Sequence, residues 1–321
     1  MELTVVWFIF LILLTPSLSV ALHVGFYDQT CPHAEAIVQH LVHQRYAINN
    51  TVAPALIRMY FHDCYVRGCD ASILIDPSNT NKETEKTAEP NLTIREFELI
   101  DKIKSKLEET CPQTVSCADI IALATRDAVV LSGGERYNVP TGRRDGLVSK
   151  ASEANLPMQN ITVDQALQAF TIKGLTLNDM VILLGAHSVG SSHCHFFRDR
   201  LFDFQGSGHA DRTMNGALIK KLKGICGSMT SKLDPSVFLD QNTSFALDSE
   251  YYNQLRIGKG LLQIDQEISN DPRTTTMVTN MAASNAHFQQ SFVKAMVKLG
   301  NVDVLQGTAG EIRTNCRAFN K

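Results

Sequence analysis

The run Arg58-Met-Tyr-Phe61-His62-Asp63-Cys64 sets a guanidinium and an imidazole four residues apart, so on a helix both project from one face. A cation beside a neutral imidazole suits heterolytic cleavage of an O–O bond. His62 can take a proton from one peroxide oxygen, while Arg58 stabilises the charge developing on the other. Arg58 also disfavours protonation of His62. Taken alone, the pair reads more readily as a surface arginine and a satisfied core histidine.

The residues that follow add a second kind of chemistry. Asp63, Val66, Gly68, Asp70 and Ser72 fall within ten residues, and Cys64 and Cys69 can staple the loop between the two aspartates. Carboxylates, carbonyls and a hydroxyl are what Ca²⁺ requires, and Gly68 lets the backbone turn a carbonyl inward. Further along, Met180, Leu183, Leu184 and His187 stand at i, i+3, i+4 and i+7, which puts a histidine on an apolar stripe. Such a histidine becomes an axial ligand only if a buried carboxylate fixes its other nitrogen, and Asp265 is a candidate for that partner. Ser188 with Asp240, Thr243 and Asp248 forms a second oxygen-rich set, a candidate for a second Ca²⁺ site. His193 and His195 beside His187 superficially suggest a zinc cluster, as in a zinc hydrolase. Residues two apart on a helix diverge, which speaks against a zinc site built on them.

The elements that must position these groups are helical. Periodicity predicts amphipathic helices over 38–47, 55–63, 94–109, 118–131, 163–173, 178–189, 213–223, 249–255 and 276–299, a mainly α fold. Start signals include Ser116 three residues before Asp119 and Thr176 three before Asp179. The polar stretch 77–90 reads as a long surface loop.

At 321 residues, with 44% hydrophobic and 20% charged, the chain is large enough for a substantial core in one domain or two lobes. A formal charge of -3 gives no electrostatic reason to expect nucleic acid or an acidic membrane as partner. Residues 5–14 form an apolar run followed by Pro16, Ser17, Ser19 and Ala21, which reads as a secretion signal cut after Ala21, although Glu2 stands where a basic residue is usual. Residues 22–321 would then be the mature domain, without membrane attachment. Eight cysteines, at 31, 64, 69, 111, 117, 194, 226 and 316, fit four disulfides in an exported protein; spacing alone leaves about 105 pairings open. Sequons at Asn49, Asn91, Asn160 and Asn242 permit glycosylation.

Together these segments resemble the plant secretory haem peroxidases, the class III family, over essentially the whole mature chain. The distal motif is Arg58-Met-Tyr-Phe-His62-Asp-Cys-Tyr-Val-Arg-Gly-Cys-Asp70-Ala-Ser72, and the proximal one Leu184-Gly-Ala-His187-Ser-Val-Gly190. Also similar are Phe26-Tyr-Asp-Gln-Thr-Cys31-Pro, Glu85-Lys-Thr-Ala-Glu-Pro-Asn91, Val115-Ser-Cys117-Ala-Asp119, Gly142-Arg-Arg-Asp145 and Asn155-Leu-Pro157.

The resemblance implies a two-lobed haem peroxidase fold in which one haem b sits between a distal and a proximal helix. It implies the disulfides Cys31/Cys111, Cys64/Cys69, Cys117/Cys316 and Cys194/Cys226. His62 resembles the distal acid/base, Arg58 the transition-state stabiliser, and Asn91 the partner that keeps His62 basic, which would leave Asn91 buried and unglycosylated. Phe61 resembles the aromatic residue that keeps donors at the haem edge. His187 resembles the axial ligand of the iron, with Asp265 receiving its other N–H. Pro157 and Phe196 match the edge where aromatic donors dock. Two Ca²⁺ ions are implied. The distal one would be held by Asp63, Val66, Gly68, Asp70 and Ser72, with Glu85 through water; the proximal one by Ser188, Asp240, Thr243, Asp248 and the Ala246 carbonyl.

The implied activity is that of a secreted, extracellular, monomeric glycoprotein that reduces hydrogen peroxide while oxidising small phenolic donors. Hydrogen peroxide removal, the response to oxidative stress and lignin or cell-wall phenolic metabolism are the roles that go with it. The end of the chain five residues past Cys316 favours the extracellular space over the vacuole. Departures from the family pattern are Ser188 for Thr, Val189 for an aromatic residue, and Glu96 for the glycine of Arg-Gly-Phe. Tyr137 stands where a tryptophan is frequent, and Trp7 lies in the signal.

Overall fold

The computed structural model describes residues 22–321, so the secretion signal lies outside the described residues. The fold is mainly α, as expected. In chain order the helices are α1 (Ala34–Ile48), α2 (Val52–Val66), α3 (Phe97–Thr110), α4 (Cys117–Leu131), α5 (Val163–Ile172), α6 (Leu177–Leu184), α7 (Arg198–Phe202), α8 (Gly216–Cys226), α9 (Glu250–Arg256), α10 (Gln263–Asn270), α11 (Thr275–Ala283) and α12 (Asn285–Leu299). Strands β1 (Ser191–His193) and β2 (Ser236–Phe238) form one small antiparallel ladder with Ser191 opposite Phe238.

Helices α1 to α4 pack on one another, and α5, α6 and α9 to α12 form a second group. Helix α4 is buried along almost its whole length, because Ala, Ile, Leu and Val occupy every face of it. It supports α2, whose backbone carbonyl at Leu56 accepts from the Thr125 hydroxyl. Starts follow the predicted chemistry: the Ser116 hydroxyl accepts from the Asp119 amide, and Thr176 and Asp179 form a reciprocal capping box.

Three of the predicted segments differ in the structure, and α7 and α10 are helices that periodicity did not predict. The helix predicted over 276–299 is two helices, because Ser284 adopts an extended conformation and caps α12 through the His287 amide. The helix predicted over 178–189 ends at Leu184, and His187 stands on a 3₁₀ turn, Gly185–Ser188. Here only glycine fits at 185, since a Cβ would come within 2.5 Å of the Phe288 ring and the Tyr252 hydroxyl. Tyr252 donates to the Val181 and Ile182 carbonyls, which closes the end of α6. The 77–90 stretch is not all surface: Thr84, Glu85 and Ala88 are buried.

Four disulfides are present: Cys31–Cys111, Cys64–Cys69, Cys117–Cys316 and Cys194–Cys226.

Candidate functional site

A cavity of about 770 Å³ lies between the two groups of helices, walled by Arg58, Phe61 and His62 of α2 on one side and His187 and Val189 on the other. Pro157 and Phe196 also line it. Its wall is largely apolar, so the few polar groups that reach it are conspicuous.

On the distal side, His62 is buried and its Nδ1 lies 2.7 Å from Asn91 Oδ1. The orientation of Asn91 follows from its other contact, since its Nδ2 donates to the Glu85 carbonyl at 2.7 Å and a carbonyl can only accept. Oδ1 therefore faces the imidazole, Nδ1 carries the proton, and Nε2 is left with a free lone pair. Burial, reinforced by the Arg58 charge, lowers the His62 pKa to about 3, and the Asn91 bond opposes that shift. Arg58 donates to Thr93 Oγ1 at 2.8 Å and to the Pro90 carbonyl at 3.0 Å. Burial and Arg95 lower its pKa only to about 10, so it stays a cation at neutral pH. A neutral base beside a retained cation is the arrangement that heterolysis of a peroxide needs. Phe61 is braced by Tyr65 and Phe170, with ring centroids 5.1 and 6.1 Å away.

Across the cavity, His187 Nδ1 lies 2.7 Å from Asp265 Oδ1. Asp265 is buried and also accepts from the Tyr251 hydroxyl at 2.8 Å and from the Leu262 amide at 3.1 Å. Those donors fix the carboxylate, which fixes the tautomer: Nδ1 of His187 carries the proton and Nε2 is free to bind a metal. Sequence could nominate Asp265 but not place it; helix α10, absent from the predicted elements, brings it to His187. Tyr251 was missed altogether and carries no motif.

Behind α2, Asp63 Oδ1, Ser72 Oγ and both carboxylate oxygens of Glu85 are buried without a well-formed hydrogen bond. Asp63, Asp70 and Glu85 face one another closely enough to interact electrostatically. Burial, then the neighbouring carboxylates, pushes Asp63 well above the usual carboxylate range; burial and Asp70 push Glu85 up to about 8. Three buried carboxylates around one space, with the Ser72 hydroxyl among their unpaired oxygens and too few donors to satisfy them, fit a hard cation. Among the described residues no three His, Cys, Asp or Glu side chains close into a metal cluster alone. A calcium site does not require that, because Ser72 and the carbonyls of Val66 and Gly68 can complete it. The Val66 carbonyl also accepts from Lys173 Nζ at 2.9 Å, leaving one lone pair. Gly68 has φ +95°, and a Cβ there would meet the Asp303 carbonyl at 2.3 Å.

The second oxygen-rich set is brought together by the ladder. The Gly190 carbonyl accepts from the Leu239 amide, which extends the β1–β2 pairing and carries Asp240 toward Ser188. Ser188 Oγ is buried without a partner. Thr243 Oγ1 bonds Asp248 at 3.0 Å, and burial raises the pKa of both Asp240 and Asp248. Ala246 closes the same loop by donating its amide to the Thr243 carbonyl. These residues fit a cation too.

One sequence reading changes here. His193 ends strand β1, His195 sits on a 3₁₀ turn, and the two do not diverge: His195 Nδ1 bonds Asp234 Oδ2 at 2.6 Å, and His193 Nδ1 bonds the Asp234 carbonyl at 2.8 Å. Glu96 adopts φ +73°, where glycine is the easier residue, and its carboxylate forms a two-point ion pair with Arg45 at 2.8 and 2.9 Å. Val189 is buried against the cavity. Of the sequons, Asn91 is buried with both ends of its amide bonded, whereas Asn160 and Asn242 are exposed and Asn49 is half-buried.

Comparison with known proteins places this geometry. Residues 35–284 match the family model described as Peroxidase. Peroxidase 57 of Arabidopsis thaliana is 50% identical over 319 residues, covering 99% of this chain and 97% of the relative. The chain belongs to the plant class III peroxidase family. Peroxidase 44 of the same plant is 46% identical over 320 residues, with 99% of each chain covered, and Peroxidase 28 is 51% identical over 302 residues, with 92% of each covered. As a member, it is a hydrogen-peroxide-dependent peroxidase that draws on reducing substrates. Members of this family typically bind haem and calcium, and the residues around the cavity and in both oxygen-rich sets fit those groups.

Proposed function

We propose that this protein is a secreted, extracellular peroxidase that reduces hydrogen peroxide to water and oxidises small phenolic donors in two one-electron steps. Hydrogen peroxide removal and lignin or cell-wall phenolic metabolism are its roles, and residues 22–321 act as a monomeric domain once the signal is cut after Ala21. One observation carries the reading: two imidazoles, each with Nδ1 anchored and Nε2 free, face the same cavity beside a guanidinium. His187 Nε2 would hold the iron of a haem b, with Asp265 accepting the Nδ1 proton and giving the ring anionic character. When bound, that group supplies the redox chemistry of peroxide reduction and donor oxidation. His62 Nε2 takes the proton from one peroxide oxygen and delivers it to the other, which leaves as water. Arg58 stabilises the negative charge on the departing oxygen. Asn91 keeps the proton on Nδ1, so the correct nitrogen is always the base. Phe61 narrows the approach and leaves aromatic donors at the edge beside Pro157 and Phe196.

Asp63, Val66, Gly68, Asp70 and Ser72, with Glu85 through water, hold one Ca²⁺; Ser188, Asp240, Thr243, Asp248 and the Ala246 carbonyl hold the other. The distal ion is tied to the chemistry through three residues. The Glu85 carboxylate belongs to the ion cradle, its carbonyl accepts from Asn91, and Asn91 holds His62. Haem-loaded protein is expected to show a Soret band and to oxidise guaiacol with hydrogen peroxide. His62→Ala should slow the peroxide-dependent change of that band by about 10²- to 10⁴-fold, the usual worth of a positioned acid/base. An unchanged rate in that variant overturns the assignment.

A further inference from the structure

The oxygen that anchors His187 has a second claimant. Asp265 Oδ1 accepts from His187 Nδ1 at 2.7 Å and from the Tyr251 hydroxyl at 2.8 Å. The other oxygen, Oδ2, accepts from the Leu262 amide at 3.1 Å, at the start of α10. The two oxygens thus have separate tasks: Oδ2 ties the carboxylate to its own helix, and Oδ1 is divided between an imidazole and a tyrosine hydroxyl. Tyr251 reaches this oxygen from α9 and is only 2% exposed. Its ring also stands edge-on to the His187 imidazole, with centroids 6.2 Å apart and planes at 84°. Tyr252 packs against it at 5.0 Å and is itself fixed by the Val181 and Ile182 carbonyls. At the head of the helix, Asp248 Oδ1 accepts from the Glu250 amide. Tyr251 is therefore held against both members of the His187–Asp265 pair from an element to which neither belongs. Each hydrogen bond that a carboxylate oxygen accepts neutralises part of its charge and weakens its pull on the next proton.

We propose that Tyr251 is a positioning residue that limits how much anionic character His187 acquires, by competing with the imidazole for Asp265 Oδ1. This deepens the peroxidase reading and rests on it, with His187 Nε2 holding the iron of a haem. While both donors share the oxygen, the Nδ1 proton stays on His187 and the ring is only partly anionic. Without the tyrosine hydroxyl, the charge of Oδ1 would fall undivided on the Nδ1 proton. The ring would then donate more strongly to the metal, and the ferric state would gain over the ferrous. Sharing the oxygen keeps the reduction potential from falling further, which leaves the oxidised enzyme a stronger oxidant toward its donors. The carboxylate does not depend on Tyr251 for its place, because the Leu262 amide holds the other oxygen.

The test uses haem- and calcium-loaded mature enzyme and two readouts that need no turnover. They are the Fe(III)/Fe(II) equilibrium against a redox dye and the iron–histidine stretch in the resonance Raman spectrum of the ferrous form. In Tyr251→Phe the equilibrium should move about tenfold toward the ferric form, about 59 mV for one electron, and the stretch should rise. Tyr251→3-fluorotyrosine, a stronger donor of nearly the same shape, should move both in the opposite direction. Tyr252→Phe removes a hydroxyl that bonds carbonyls of α6 instead, and should leave both where they are. Unchanged readouts in Tyr251→Phe, or equal changes in Tyr252→Phe, overturn the proposal. So does the reverse sign, a potential that rises with a stretch that falls, since Tyr251 would then only keep Asp265 in contact with His187. If Tyr251→Phe takes up no haem, the fluorinated variant decides alone, and a potential that does not rise overturns the proposal. If the wild-type enzyme shows no iron–histidine stretch, the assignment of His187 fails, and the peroxidase reading with it.

Discussion

The Asn91 amide joins the ion cradle to the distal imidazole, so replacing it separates two effects that share one residue. In Asn91→Val the Nδ1 proton of His62 loses an acceptor at 2.7 Å and the Glu85 carbonyl loses a donor at 2.7 Å. A hydrogen bond to a group that becomes charged is worth about 1.5–3 kcal/mol, and about 1.4 kcal/mol is a factor of ten. The acceptor favours protonated His62, so its loss takes the pKa below the present value of about 3 and weakens the base. The rate at which hydrogen peroxide changes the Soret band in stopped flow should therefore fall about ten- to a hundredfold at all pH values. Asn91→Asp acts in the opposite sense: a carboxylate at this place raises the His62 pKa, and a protonated imidazole cannot accept the peroxide proton. Its rate should fall most in acid and recover as pH rises, whereas the Val variant should not recover. A wild-type rate in Asn91→Val, or the same pH profile in both variants, refutes the assignment of Asn91 as the group that fixes the tautomer.

Calcium removal should destabilise the protein in a pH-dependent way. Without the ion, burial raises Glu85 from about 4.5 to about 8, so the folded form binds more protons than the unfolded chain and stability falls as pH rises through that window. The contribution of His62, whose pKa is depressed, has the opposite slope below about 6.5, but it is common to both forms and cancels in their difference. The Tm gap between calcium-loaded and EGTA-treated protein should thus widen from about pH 5 to 8, and a constant gap would count against the cradle. Asp265→Asn keeps the shape but removes the charge that His187 faces; activity of the haem-loaded enzyme should fall by about 10- to 100-fold, and an equal activity would show that the carboxylate charge is not used. Glu96→Ala keeps the positive φ and loses the Arg45 pair, so denaturant unfolding should register a loss of about 1–2 kcal/mol, whereas Glu96→Gly relieves the backbone and should stay within about 1 kcal/mol of wild type. Equal losses would mean that the φ of +73° carries no strain.

Helical class, the Arg58/His62 pair and the distal oxygen-rich loop are legible in the sequence because each is local. Residues four apart share a helix face whatever the rest of the chain does, and Asp63 to Ser72 form one loop closed by their own disulfide. The pairing of the other six cysteines came from family resemblance, because spacing alone allows many partners. What the sequence left open is everything that joins distant segments. Asp265 meets His187 across 78 residues only because α10 exists and Tyr251 and Leu262 hold the carboxylate. His193 and His195 looked divergent because a helix was assumed; a short strand and a 3₁₀ turn, clamped by Cys194–Cys226, turn both toward Asp234. The break at Ser284 was invisible to periodicity, which registers apolar spacing but not a single extended residue. Local pattern fixes which face a side chain occupies; only the packed chain decides which acceptor meets each imidazole, and therefore which nitrogen is left to act.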